Sequence, residues 1–353
     1  MSLRYRTIAL LTLAAPLAAS GQQAVAITNV SVIPMDRERI LTGQTVVVQG
    51  NRITAVGPAA QVTVPEGATR IDGAGKFLIP GLAELHAHLP GGQNPAALER
   101  VLELFILNGV TTIRSMLGDT AHLRLRAEIA RGSRMGPRIV AAGGPSFNGQ
   151  TAATPQAAMQ LVQAQKAAGY DLLKIHPGVT RIAFDSLAAV ANRLRIPFSG
   201  HVPLAVGIER AIEARYHTID HIDGFLEAII RDGAPVTSQQ SQLFGANLVA
   251  HLDESKIAPL ARRVRESGVG IVPTEGFLVA LFGSLPAESL LTRPELRYWF
   301  PNQVNAWGNQ KRNIDAQYSA ADRARFLELR RKAIKALHDA GVTLLLGSDA
   351  PQL

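Results

Sequence analysis

The sequence predicts an α/β protein, a (β/α)8 TIM-like barrel preceded by a partial β-sandwich. Three observations predict it. From Phe77 onward, short apolar runs alternate with helical segments, the pattern of a parallel sheet with crossover helices. Eight such runs can be counted, enough to close a barrel. Residue types that bind metals or move protons stand at or near the ends of several runs, where barrel sites are assembled.

Residues 1–22 read as a signal peptide. Arg4 and Arg6 form a basic start, and Ile8 to Ala19 is apolar but for Thr12 and Pro16. Ala18, Ala19, Ser20 and Gly21 supply the small residues of a cleavage region. The apolar run falls short of the about 20 residues that a spanning helix needs, so no stable membrane anchor is expected. The mature chain is expected in the periplasm or outside the cell.

Residues 23–75 read as strands, the N-terminal part of a small β-sandwich domain. Ala24 to Ile33 alternates apolar and polar residues, and Thr45 to Val48 is β-branched. Gly50-Asn51 offers a two-residue hairpin turn before Arg52 to Val56. Pro65, Gly67, Gly73 and Gly75 punctuate the end of the section.

Residues 76–353 carry the eight barrel strands. They are expected at Leu78–His88, Val110–Met116, Arg138–Gly143, Leu172–His176, Pro197–Val202, Thr218–Ile222, Val269–Thr274 and Val342–Asp349. Gly109, Gly169, Gly268 and Gly341 each precede a strand as helix-stop signals. The longest connection, Glu275 to Ala340, is expected to hold extra helices over the barrel mouth, the last of them capped by Ser319 and Asp322.

Composition narrows the function. The formal net charge is +8, but Arg262, Arg263 and Arg265, like Arg330, Arg331 and Lys332, share their segments with apolar residues at helical spacing. Those charges read as solvated helix faces, and no interleaving of aromatic and basic residues suggests nucleic acid. With no cysteine, the chain has neither disulfides nor thiolate ligands, so a metal would be held by nitrogen and oxygen.

Candidate ligands follow the strands in order. His86 and His88 lie two apart on one strand and face the same side, where they can grip one ion. His201 follows Phe198-Ser199-Gly200, and His221 follows Thr218-Ile219-Asp220, each where its strand should end. Lys174 sits in an otherwise apolar strand, where a lone ammonium is costly. It either pairs with a carboxylate or, with its pKa depressed, takes up carbon dioxide to form an anionic carbamate able to bridge two metals. Asp349 ends the eighth strand and could both touch a metal and accept a proton from its water. His176, two beyond Lys174, and Glu275, after the seventh strand, are candidate substrate contacts. His122, His217, His251 and His338 read as structural.

Taken together, Ile79-Pro80-Gly81-Leu82-Ala83-Glu84-Leu85-His86-Ala87-His88, Gly200-His201-Val202-Pro203, Ile219-Asp220-His221-Ile222 and Gly347-Ser348-Asp349-Ala350-Pro351 resemble motifs of the amidohydrolase superfamily. Within it the sequence is most similar to imidazolonepropionase-like and prolidase-like members. The resemblance implies two divalent ions, zinc being expected. His86, His88 and Asp349 would bind one, His201 and His221 the other, and a carboxylated Lys174 would bridge them. It implies hydrolysis of a carbon–nitrogen bond in a cyclic amide, an N-acyl amino acid or a dipeptide, through a metal-bound hydroxide and with Asp349 as proton acceptor. A lactone or ester hydrolase on the same site, or a catalytically silent binding protein, are the alternatives. The partner is a small molecule or short peptide, and a homo-oligomer is compatible with the sequence. The resemblance also implies a last barrel helix and further sandwich strands beyond the eighth strand. As the sequence reaches only Leu353, exposed apolar surface and low stability or activity are expected.

Overall fold

The computed structural model describes residues 23–352, so the signal-peptide reading of residues 1–22 lies outside the described residues. The chain divides into two compact units, Met1–Pro80 and Gly81–Leu353.

The first unit is one five-stranded sheet. Its strands are β1 (Val25–Val32), β2 (Leu41–Gln49), β3 (Arg52–Pro58), β4 (Thr69–Asp72) and β5 (Phe77–Leu78), ordered β3-β2-β1-β4 with β5 also beside β1. The hairpin expected at Gly50-Asn51 is present: Gln49 pairs with Arg52, and Gly50 takes the left-handed φ of 59° that favours glycine. Hydropathy does not announce β4, because all four of its residues are exposed and none alternates. The described residues of the expected partial β-sandwich form one sheet. Val30, Val32 and Val46 make its small core, while Ile53, Val56, Ile71 and Phe77 remain exposed.

In the second unit seven short parallel strands lie in two sheets. One contains β6 (Leu82–Ala87), β7 (Val110–Ser115) and β8 (Arg138–Ala142), in that order. The other contains β9 (Leu173–Ile175), β10 (Phe198–Gly200), β11 (Thr218–Asp220) and β12 (Gly270–Val272), neighbours in sequence order. Helices α1 (Pro95–Leu107), α2 (Thr120–Ala130), α3 (Pro155–Ala168), α4 (Arg181–Leu194), α5 (Gly207–Glu213), α6 (Phe225–Ala228) and α7 (Ile257–Ser267) alternate with them. Gly169 and Gly268 close α3 and α7 in the left-handed conformation, as helix-stop signals should.

A parallel bridge joins Gly143 to Leu172 between the two sheets, and another joins Ile271 to Leu344. Leu85 N then donates to Leu346 O at 3.0 Å, and His88 N to Ala350 O at 2.7 Å. Two strand expectations are corrected. Leu78–His88 is cut into β5 and β6 at Ile79-Pro80-Gly81, where proline has no N–H for the ladder. Val342–Asp349 makes single backbone links rather than a regular strand. Its Ser348 amide turns to Glu84, and Asp349 is left-handed at φ 66°.

The connection from Glu275 to Ala340 holds α8 (Glu275–Phe282), α9 (Ala287–Leu291), α10 (Pro301–Gln317) and α11 (Ala320–Asp339). Ser319 caps α11, its Oγ accepting from Asp322 N at 3.1 Å. The core of the unit runs through α4, α7 and α11, with Phe184, Leu187, Val264, Phe326 and Leu337 fully buried. Arg262, Arg263, Arg265, Arg331 and Lys332 are exposed as expected, but Arg330 is 0% exposed and belongs to the interior. No helix among the described residues is long and apolar enough to cross a membrane.

Candidate metal centre

Strand alternation sets the first part of the site. Glu84 and His86 point to the buried side of β6, with His88 just beyond its end. Gly347 lets the last segment come close, since a Cβ there would stand 2.4 Å from Val272 Cγ1 and 3.1 Å from His86 Cβ. The ligand atoms of His86, His88 and Asp349 consequently lie within 4.8 Å of one another. His86 Nε2 is 3.1 Å from His88 Nε2, and Asp349 Oδ1 is 3.4 and 3.1 Å from the two nitrogens.

Around this trio the other predicted residues gather to different degrees. Lys174 Nζ is fully buried and meets His86 Nε2 at 3.2 Å. No carboxylate oxygen among the described residues lies within 4.0 Å of it, though the charges of Asp220 and Asp349 act on it. The His221 ring lies 4.7 Å from that of His86 and 4.5 Å from that of His201. His176 sits edge-on to His201 at 4.8 Å. Glu275 is not drawn in: it is the first residue of α8, and its Oε2 accepts from Arg330 Nε at 3.0 Å.

Residues that sequence reasoning did not single out hold the imidazoles. Asp223 Oδ2 is 2.7 Å from His201 Nδ1, and Thr274 Oγ1 is 2.7 Å from His221 Nδ1. Asp220 Oδ2 approaches His86 Nδ1 to 2.9 Å, out of the line of a hydrogen bond. A partner at Nδ1 leaves Nε2 with its lone pair, the form that binds a metal. Asp220 is itself held by Arg114, whose guanidinium also donates to Leu85 O and Thr218 Oγ1. Glu84 accepts from His86 N, Ser348 N and Ser348 Oγ, tying the two ends of the constellation together. Acidic neighbours at i−2 or i−1 of a predicted ligand were the available signal for Glu84 and Asp220; Arg114 and Thr274 offered none.

The backbone is strained here. His221 (φ 61°), Ile222 (φ 53°), Thr274 (φ 52°) and Asp349 (φ 66°) are all left-handed, an outlying conformation for β-branched residues. Arg330 pins two of these turns, donating to His221 O at 2.8 Å and Pro273 O at 3.0 Å.

Does a cation fit? His221 Nε2 and Asp349 Oδ1 are buried without a hydrogen-bond partner. Imidazole lone pairs and a carboxylate facing one another repel unless a proton or cation lies between them. The imidazoles oppose protons: burial first, then the Lys174 charge, holds His88 and His201 down at about 3. Burial likewise lowers His86 and His221 well below the usual range. Neutral nitrogen and carboxylate donors suit a divalent ion.

These shifts make the metal-free protein acid-sensitive. Between pH 6.5 and about 3 the unfolded chain protonates imidazoles that the folded chain keeps neutral, so folding stability falls with pH. Burial acts oppositely on Asp223 and Asp349, raised to about 7, whose contribution is lost as pH rises through that value. Depressed imidazoles (His86, His88, His176, His201, His217, His221) outnumber the raised carboxyls (Asp223, Glu227, Asp349). Chelated protein should therefore lose on the order of 1–3 kcal/mol per pH unit from pH 6 to 5. A melting temperature that holds or rises over that interval would contradict this.

The amidohydrolase family model matches residues 77–352, and the chain belongs to the amidohydrolase family. It is 38% identical over 98 residues to adenine deaminase 2 of Bradyrhizobium sp. (strain ORS 278), a match covering 27% of this chain and 16% of that protein. The chain thus matches less than a fifth of the length of this curated relative. Its fold is similar to that of bottromycin amidohydrolase, with TM-score 0.63, 21% identity, and 93% of this chain and 69% of that one covered. It is also similar to a Xaa-Pro dipeptidase solved with methionine bound, with TM-score 0.60, 17% identity, and 94% and 80% covered.

Proposed function

We propose that the protein is a metal-dependent hydrolase that breaks a carbon–nitrogen bond in a small molecule or short peptide. The two parallel sheets and the segment from Val342 to Asp349 form, in this reading, one TIM-like barrel with residues 23–75 as a separate small domain. The convergence of His86, His88 and Asp349 within 4.8 Å carries the proposal. These three would hold one divalent ion, His201 and His221 a second, and carboxylated Lys174 would lie between them. Zinc suits the nitrogen and oxygen donor set.

Bound divalent ions supply Lewis acidity and bring the pKa of water towards about 7. The chain's own residues supply the remainder. The Asp349 carboxylate takes the proton that water loses and delivers it to the leaving nitrogen. Asp223 and Thr274 keep the His201 and His221 rings turned with Nε2 free. Burial lowers the Lys174 pKa, which favours the neutral amine that adds to carbon dioxide and sheds a proton.

Metal analysis with a hydrolysis assay tests this. About two divalent ions per chain are expected, chelation should abolish turnover, and added zinc should restore it. His201→Ala should lose one ion and at least about a hundredfold in rate. Turnover indifferent to chelation would end the proposal.

A further inference from the structure

We propose that this centre takes a substrate that is neutral on both sides of the scissile bond, a cyclic amide or an acylated amide, and discriminates against a free carboxylate. The inference deepens the hydrolase reading and rests on it.

His88, whose side chain is 19% exposed, opens on a cavity of about 560 Å³, within the range of small-ligand sites. Beyond the imidazole and the unpaired indole N–H of Trp299, the polar side chains of this cavity are carboxamides. Asn94 Oδ1 is committed to Ala97 N, but Asn302, Gln303 and Gln352 enter no side-chain hydrogen bond among the described residues. Carboxamides donate and accept without carrying charge. Trp299 and Phe300 supply flat apolar surface between them. No carboxylate, ammonium or guanidinium is among the described residues lining the cavity.

The opposite flank is also apolar. The Phe244 ring lies 5.3 Å from that of His221 and 6.4 Å from that of His201. Its backbone is left-handed at φ 62°, following Leu243 at φ 41°, a costly conformation for two bulky residues.

With the divalent ions of the centre committed to their ligands and the reacting group, a substrate carboxylate in such a setting needs a further cation, because an unpaired buried charge is heavily penalised. The cations whose charge reaches the centre are already engaged. Arg114 donates to Leu85 O, Thr218 Oγ1 and Asp220 Oδ1. Arg330 donates to Glu275 Oε2, His221 O and Pro273 O. Lys174 is buried against His86 and, once carboxylated, would carry no positive charge. None of the three is more than 6% exposed.

Matched pairs decide the matter on the zinc-loaded full chain: N-acetylglycyl-prolinamide against N-acetylglycyl-proline, and N-benzoylglycinamide against N-benzoylglycine. The neutral member should bind at least about tenfold tighter in calorimetry, and should exceed its partner by at least that factor in kcat/KM where turnover occurs. Gln303→Arg should tighten the carboxylate member by about tenfold. Equal or tighter binding of the carboxylate by the unaltered protein overturns the inference, as does failure of both members to bind. Tighter neutral binding without turnover supports the inference while refuting the hydrolase reading.

Discussion

Asp349→Asn is expected to lower hydrolysis by about 10²–10⁴-fold while the protein still folds. The side chains match in volume, and Asp349 is 6% exposed, so packing changes little. What is lost is chemistry. A carboxylate oxygen 3.1 Å from His88 Nε2 and 3.4 Å from His86 Nε2 can both meet a cation and receive a proton. A carboxamide receives none at neutral pH. Burial lifts the Asp349 carboxyl to about 7 in the metal-free site. Steady-state rates, read beside metal content and a thermal melt, separate the proton step from ion loss. A variant within about tenfold of the parent rate would refute the role given to Asp349.

The largest stability effect should come from Arg330→Met, about 3–5 kcal/mol, together with loss of turnover. Arg330 is fully buried on α11 and bonded to the Glu275 carboxylate and to the carbonyls of His221 and Pro273. Removing it leaves Glu275 unpaired, and one of its oxygens already lacks a partner. The left-handed turns at His221, Ile222 and Thr274 would lose the donor that holds two of their carbonyl neighbours. Chemical denaturation measures the cost. Pairing Arg330→Met with Glu275→Gln should recover part of it, since the second change removes the stranded charge. A single variant within about 1 kcal/mol of the parent would show that the network contributes little.

Particular residues show how far a sequence can be read here. His86, His88, His201 and His221 were legible because each closes an apolar stretch where a polar side chain is out of place. Lys174 was legible for the same reason, being the one charge in a run of buried residues. Arg330 was not: beside Arg331 and Lys332 it looks like part of a solvated stripe, and only the packing of α11 turns it inward. Asp223 and Thr274 stand just past their strands, where turn chemistry explains such residues equally well. Strand β4 was hidden by its exposure, and the segment before Asp349 by the opposite fault. Its run of leucines promises a full strand, while the contacts of Gly347 and Ser348 bend it away.

Glu84 and Ser348, which share short hydrogen bonds, are 264 residues apart in sequence. Closing so long a loop costs roughly 5 kcal/mol of chain entropy, and nothing is regained until the partners touch. A ribosome adding about 5–20 residues per second needs roughly 15–50 s to travel from one to the other. Throughout that interval the imidazoles of His86 and His88 wait without the Asp349 carboxylate, so the three-residue cluster is complete only once Asp349 has been added.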